Sequence, residues 1–197
     1  FEFDNKEPRL TVTQTSGLWV TEALPEASQH VLYCKKAGVS LVPHSLAQQR
    51  LVARTKFQAQ VSLEGVYFVF WWEDEDNYWQ AGVYAAPGVG HRLVIDRYVN
   101  GVKTNKADVT AGTVSVGTWY TLYLETKPGQ VRVYLSNDYD FSSPLASTSY
   151  DVTQETSGAP SKHHAGFKYD ENFDIGLVKI AGSVTSADDG QVTDDTK

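Results

Sequence analysis

The sequence predicts an all-β sandwich or barrel, and three observations carry that expectation. Short apolar runs end in turn residues at intervals of about 8–15 positions from Arg50 onward, the spacing of antiparallel strands. The core must be built from Val, Leu, Tyr, Phe and Trp, because Met is absent and aromatics make up 12% of the chain; these side chains suit pleated surfaces. The stretch from Gly65 to Gly101 holds three apolar-aromatic runs, two of them with aromatics at positions of both parities. Successive side chains of a strand point to opposite faces, so such a run is either buried on both sides or presents one face to a flat, partly apolar ligand.

In chain order, Phe1–Phe3 and Leu10–Thr15 are candidate strands, followed by Gly17-Leu18-Trp19-Val20. Residues 25–38 fit a short helix, with Pro25 near its start, Lys35 and Lys36 near its end and Gly38 at a C-cap position. His30-Val31-Leu32-Tyr33 fits a strand equally well, and both readings stay open. Lys56–Leu63 alternates, with Phe57, Ala59, Val61 and Leu63 on one face. Strands are then expected at Val66–Trp72, Asn77–Tyr84, Arg92–Val99, Trp119–Glu125, Gln130–Leu135 and Phe173–Ile180. Asn100-Gly101 supplies the positive φ of a tight hairpin turn, and Lys127-Pro128-Gly129 closes a second strand pair. Residues 1–180 read as one domain with at most one or two short helices. Residues 181–197, rich in Ser, Thr and Asp, read as a linker or flexible tail.

Composition narrows the partners. The net charge of −7 argues against nucleic acid and anionic membranes; a neutral partner fits best, although a local basic cleft would outvote the total. No apolar stretch approaches the ~20 residues of a membrane-spanning helix. Cys34 is the single cysteine, so no disulfide within the chain and no thiolate cluster is expected. A chain that begins at Phe1 reads as a processed product, which favours an extracellular or cell-surface location.

The order of these runs resembles that of the concanavalin A-like, laminin G-type jelly rolls. The resemblance covers about residues 50–180. It rests on Asp76-Asn77-Tyr78-Trp79 at a turn, Gly117-Thr118-Trp119 opening a hairpin and Phe173-Asp174 opening the last strand. It implies a two-sheet antiparallel jelly-roll sandwich whose N-terminal strands pair beside the C-terminal one, with Phe1–Phe3 placed next to Phe173–Ile180. The family includes sugar-binding modules, adhesion domains, glycoside hydrolases and polysaccharide lyases, and a shared fold leaves that choice open. The resemblance also implies a structural calcium near the termini, for which Asp4 and Asp174 are the candidate ligands; surface carboxylates without an ion are the alternative.

The candidate ligand face follows from parity. With Phe68, Phe70 and Trp72 inward, Tyr67 and Trp71 point outward. With Trp79, Ala81 and Val83 inward, Tyr78, Gln80 and Tyr84 point outward. With Leu93, Ile95 and Val99 inward, Arg92, Asp96 and Tyr98 point outward. Tyr123, Arg132 and Tyr134 are expected to join them. Sugar rings lay C–H faces on aromatic planes and need fixed hydrogen-bonding groups for their hydroxyls. Trp71, Tyr78, Tyr84 and Tyr98 would therefore stack, while Gln80, Arg92 and Asp96 would orient.

Other chemistry has weaker support. Glu73-Asp74-Glu75-Asp76 is consecutive, unlike the spaced carboxylates of a glycosidase, and reads as a solvated hairpin tip. His163-His164 lacks the i, i+4 spacing of a zinc helix. Tyr78-Trp79-Gln80-Ala81-Gly82-Val83-Tyr84 is similar to a segment of alginate-lyase-like jelly rolls, but Gln80 stands where that segment has lysine. The sequence thus reads as a non-catalytic carbohydrate-binding or adhesion module for a polysaccharide or glycan on an aromatic-rich concave sheet, and its linker-like tail fits a multidomain parent. A polysaccharide lyase or glycoside hydrolase, and a protein–protein interaction domain, are the alternatives.

Overall fold

A computed structural model describes residues 13–14, 18–23, 30–36, 38–42, 48–57, 63–137, 141–155, 164–169 and 173–183. They form fourteen strands: β1 Thr13–Gln14, β2 Leu18–Ala23, β3 His30–Lys36, β4 Gly38–Val42, β5 Gln48–Phe57, β6 Gly65–Trp72 and β7 Tyr78–Ala86. After these come β8 Gly90–Val99, β9 Val102–Gly112, β10 Trp119–Lys127, β11 Gln130–Ser136, β12 Ala146–Asp151, β13 His164–Tyr169 and β14 Phe173–Ser183. Among the described residues the only helical segment is a 3-10 turn at Val152–Gln154, where the Asp151 carboxylate accepts from the Thr153 N–H at 2.9 Å.

The strands make two antiparallel seven-stranded sheets. Sheet A runs β1-β4-β13-β6-β7-β8-β9, and sheet B runs β12-β11-β10-β5-β14-β3-β2. Their facing sides alternate apolar residues as a two-layer sandwich requires. Val66, Phe68, Phe70, Ala81, Val83, Leu93 and Ile95 of sheet A meet Leu51, Ala53, Phe57, Leu122, Leu124, Val131, Val133 and Leu135 of sheet B. This is the jelly-roll sandwich the sequence predicts.

Two hairpins form as their turn residues dictate. Asn100 and Gly101 take φ of 50° and 74° between β8 and β9, and Gly129 takes 78° between β10 and β11. The segment that fits either helix or strand is a strand, β3. N-terminal strands do lie beside the C-terminal one: β14 pairs with β3 on one side and β5 on the other. Phe1–Phe3 falls outside the described residues, as do residues 10–12 and 15 of the second candidate strand, of which Thr13–Gln14 is β1. Of the predicted strand Lys56–Leu63, Lys56 and Phe57 belong to β5, residues 58–62 lie outside the described residues, and Leu63 sits in a turn at φ 69° with 65% of its surface exposed. Four strands were not predicted: β4, where Gly38 was expected at a helix C-cap, and β9, β12 and β13. β9 and β12 close the outer edges of their sheets, where exposed polar residues blur the apolar alternation. The last strand extends to Ser183.

Candidate functional site

The outward side of sheet A is built around a defect in β6. From Val69 to Trp72 the chain takes three steps, while its partner β13 takes two, from Gly166 to His164. The extra residue is accommodated as a β-bulge, with Trp71 in the left-handed region at φ 48°. The alternation therefore flips. Trp71, expected to face outward, joins the inner core, 5.2 Å from Phe70 and 5.7 Å from Trp79 between ring centroids. Trp72, expected inward, faces outward in its place.

Trp72 begins a cross-strand stack. Its ring lies 4.8 Å from that of Tyr78, and Tyr78 lies 4.4 Å from Tyr98 at an interplanar angle of 10°. Val69 and Leu41 are buried in the same cluster, with Val39 packed against it. Lys168 of β13 donates to the Tyr78 hydroxyl at 3.0 Å, and its ammonium lies 5.1 Å from the Tyr98 centroid. Both broad faces of Tyr78 are thus covered by neighbouring rings. The surface left for contact is the Tyr98 side of the stack, since Tyr98 is half-buried where Trp72 and Tyr78 are nearly closed off.

Beside the stack lies a polar centre. Asp96 is fully buried although it points away from the core. One carboxylate oxygen accepts from Asn105 Nδ2 at 2.9 Å; the other accepts from Gln80 Nε2 at 3.0 Å and pairs with Lys103 Nζ at 3.0 Å. A register shift between β8 and β9 makes this possible: Asp96 faces Asn105, while its neighbour Ile95 faces Ala107, so Lys106 is an extra residue. Gln80 is 2% exposed, and its Oε1 has no partner among the described residues. Towards the other end of the face, Arg92 donates from Nε to Asp108 at 2.7 Å and from Nη1 to Thr110 at 3.0 Å, alongside half-buried Tyr84. Gly82 lies between: a Cβ there would stand 2.9 Å from the ring of Tyr67, which lies across this part of the sheet.

Six of the seven predicted ligand-face residues, Tyr78, Gln80, Tyr84, Arg92, Asp96 and Tyr98, share this one face, and Trp71 does not. Tyr123, Arg132 and Tyr134, expected to join them, belong to sheet B and point outward on the opposite side of the sandwich. Trp72, Lys103, Asn105, Asp108 and Lys168 were missed. Lys103, Asn105 and Asp108 lie on an edge strand too polar to read as one, and Trp72 is hidden by the bulge.

The alternative chemistries fare differently. Glu73–Asp76 is a structured hairpin tip: Asp74 accepts from the Asp76 N–H at 2.9 Å and from Asn77 Nδ2, and Asn77 Oδ1 accepts from the Asn100 N–H at 3.0 Å. Tyr78 is unsuited to abstract a proton, because burial, and then Tyr98 and Asp96, push its hydroxyl above the ordinary tyrosine value. Among the described residues no group of three or more His, Cys, Asp or Glu side chains could hold a metal ion. Asp4 and His163 lie outside those residues. Asp174 is placed only by its backbone, opposite Lys56 on one side and Tyr33 on the other.

No protein-family model matches the chain, and no curated protein matches it in sequence. Solved structures do match in shape. A carbohydrate-binding module, CBM66, from Bacillus subtilis aligns with a TM-score of 0.63 at 14% identity, covering 87% of this chain and 96% of the module. The exoplasmic/lumenal domain of VIP36, in a form bound to Ca2+ and Man3GlcNAc, aligns with a TM-score of 0.64 at 11% identity, covering 94% of this chain and 90% of that one. A mutant of the GH43 protein BlXynB from Bacillus licheniformis aligns with a TM-score of 0.59 at 11% identity, covering 87% of this chain but 38% of the larger protein. The chain has the concanavalin A-like jelly-roll fold that carbohydrate-binding modules and lectins of this shape share.

Proposed function

We propose that the outward face of sheet A is a glycan-binding surface and that the protein is a carbohydrate-binding module rather than an enzyme. The observation that carries this reading is the fully buried Asp96 on the side of the sheet away from the core. A purely structural face gains little from a buried carboxylate, whose desolvation is costly unless its partners are fixed. Here Asp96 holds Gln80, Asn105 and Lys103 in set positions between two half-buried tyrosines, Tyr84 and Tyr98. Rigid polar groups flanked by aromatic surface are what a sugar ring requires. Tyr98 and Tyr84 take the C–H faces of the sugar. Arg92, Asn105 and Lys103 meet its hydroxyls, while Asp96, Gln80 and Tyr78 form the floor that positions them. The fold, shared with a carbohydrate-binding module and with an exoplasmic/lumenal domain bound to Ca2+ and Man3GlcNAc, supports a saccharide ligand met outside the cell or in a lumenal compartment.

The test is affinity electrophoresis through gels containing neutral polysaccharides, run with calcium and with chelator, beside an assay for released products. Retardation that Tyr98→Ala and Asp96→Asn abolish, without released products, supports the binding surface. Retardation unchanged in both variants sinks it. Loss of binding on chelation would revive Asp4 and Asp174 as calcium ligands.

A further inference from the structure

The opposite side of the sandwich has a different character. On the outward side of sheet B the register brings together Arg50, Glu125 and Arg132 in one row across β5, β10 and β11, with Val52, Tyr123 and Tyr134 in the next. Across β5, β10 and β11, Arg50, Lys127 and Arg132 point outward around one carboxylate, Glu125, with Asp151 on the neighbouring β12. That local excess of positive charge stands in a chain whose total is −7.

The surplus is concentrated around Glu125. This nearly buried carboxylate pairs with Arg50 at 3.3 Å and Lys127 at 2.9 Å, and Arg132 lies opposite it in the register. Two cations pair with that carboxylate and a third lies across from it in the register. The Arg50 and Lys127 side chains remain 64% and 49% exposed, so both can meet a ligand. Aromatic surface adjoins them: Tyr123 packs 5.6 Å from Tyr134 and 4.9 Å from Phe141, all three half-buried.

We propose that this face of sheet B is a second binding surface, for a polysaccharide bearing carboxylate or sulfate groups. The Arg50–Lys127–Arg132 cluster meets the anionic groups, and Tyr134 with Phe141 takes the sugar rings. Charge complementarity selects the occupant. Attraction within ~10 Å of the cluster is local, so a sparsely charged sugar polymer feels it without contacting the acidic remainder of the molecule. Nucleic acid, with a charge for every ~1.7 Å of duplex, would meet that acidic remainder as well. This inference is independent of the surface proposed on sheet A, because the two lie on opposite sides of the sandwich.

The experiment is chromatography of the whole chain on immobilised alginate, dextran sulfate, uncharged dextran, poly(U) and polyglutamate, with elution by NaCl. The expected result is retention on alginate, on dextran sulfate or on both, which separates uronate from sulfate recognition. Affinity should fall about tenfold between 50 and 200 mM salt, as release of about two to three counterions dictates. The triple variant Arg50→Gln/Lys127→Gln/Arg132→Gln should bind at least about tenfold more weakly and stay folded, with a melting temperature lowered because nearly buried Glu125 loses both its ion-pair partners, while Arg132→Gln alone should weaken binding with the melting temperature unchanged. Arg50→Lys/Arg132→Lys should keep most of the binding, and Tyr98→Ala should keep all of it. No retention at low salt, equal retention of the triple variant, or retention on poly(U) or polyglutamate alone would each overturn the proposal.

Discussion

Trp71 and Trp72 are neighbours in the chain yet end on opposite sides of sheet A, in surroundings that differ in kind. Trp71 enters the main core between the two sheets, edge-on to Trp79 and Phe70. Trp72 joins a small cluster on the other side, stacked on Tyr78 and bordered by Lys168 and the polar centre at Asp96. One left-handed residue separates a packing role from a place on the candidate ligand face. The inner side of the sheet gains its stability from volume, while the outer side arranges a few polar groups against aromatic edges.

The comparison breaks most directly by truncating each tryptophan. Trp71→Ala should leave a large core cavity and cost about 3–5 kcal/mol in chemical denaturation. Trp72→Ala removes a ring from the smaller cluster and should cost about half as much, while weakening any glycan binding on that face. Equal costs would mean that the outer cluster is a second core and that sheet A offers no ligand surface there.

The same contrast holds for two buried carboxylates. Glu155, just after β12, sits at the inner end of the sheets and accepts from Tyr150 Oη at 2.6 Å, pairs with Lys106 at 2.7 Å and bonds Arg97. Burial opposes its charge, but hydrogen bonds from Lys106, Tyr150 and Arg97 outweigh it, so its carboxyl titrates below the ordinary glutamate value. Arg97 and Lys106 are themselves mostly buried, at 16% and 18% exposure. Glu155→Gln should therefore strand two cations and cost about 2–3 kcal/mol. Asp96→Asn leaves a single cation, Lys103, which is 47% exposed and can turn to water, and takes the acceptor from one amide, Gln80 or Asn105, so it should cost about 1–2 kcal/mol. A denaturation cost for Asp96→Asn as large as that for Glu155→Gln would make Asp96 a structural group. Because Glu155 is depressed, its contribution is present above about pH 4.5 and is lost as pH falls through its lowered value.

The sequence already showed the sandwich, because period-2 alternation and the Asn100-Gly101 turn act locally. It also showed most of the outer face, since parity holds through β7 and β8 wherever no residue is added. It failed where one residue is inserted. At Trp71 the bulge reverses parity with no glycine to announce it, and Lys106 sends its neighbours Asn105 and Ala107 to different sides of β9. Sheet membership was also hidden. Tyr123 and Tyr134 have the right outward parity, but which sheet a strand joins depends on contacts between residues far apart in sequence.

The smallest effect separates the two sides by acid. His91 is fully buried on the inner side of β8, edge-on to Phe57 at 5.2 Å between ring centroids, and its Nδ1 accepts from the Val114 N–H at 3.2 Å. Burial pushes the imidazole below its ordinary value of 6.5, so it is neutral in the folded protein at pH 7. In the unfolded chain it titrates normally. Between the lowered folded value and about pH 6.5 the unfolded state binds the extra proton, and stability must fall as pH drops through that window. Melting temperatures measured between pH 7.5 and about pH 5 should decline by a few degrees in the native protein. In His91→Leu the decline should flatten, because no inner-face imidazole remains to be charged. Tyr98→Ala should leave the slope unchanged, since it lies on the outer face and does not touch His91, Phe57 or Val114. A slope that survives in His91→Leu would place the acid sensitivity elsewhere and leave the inner side of the sheet indifferent to protons.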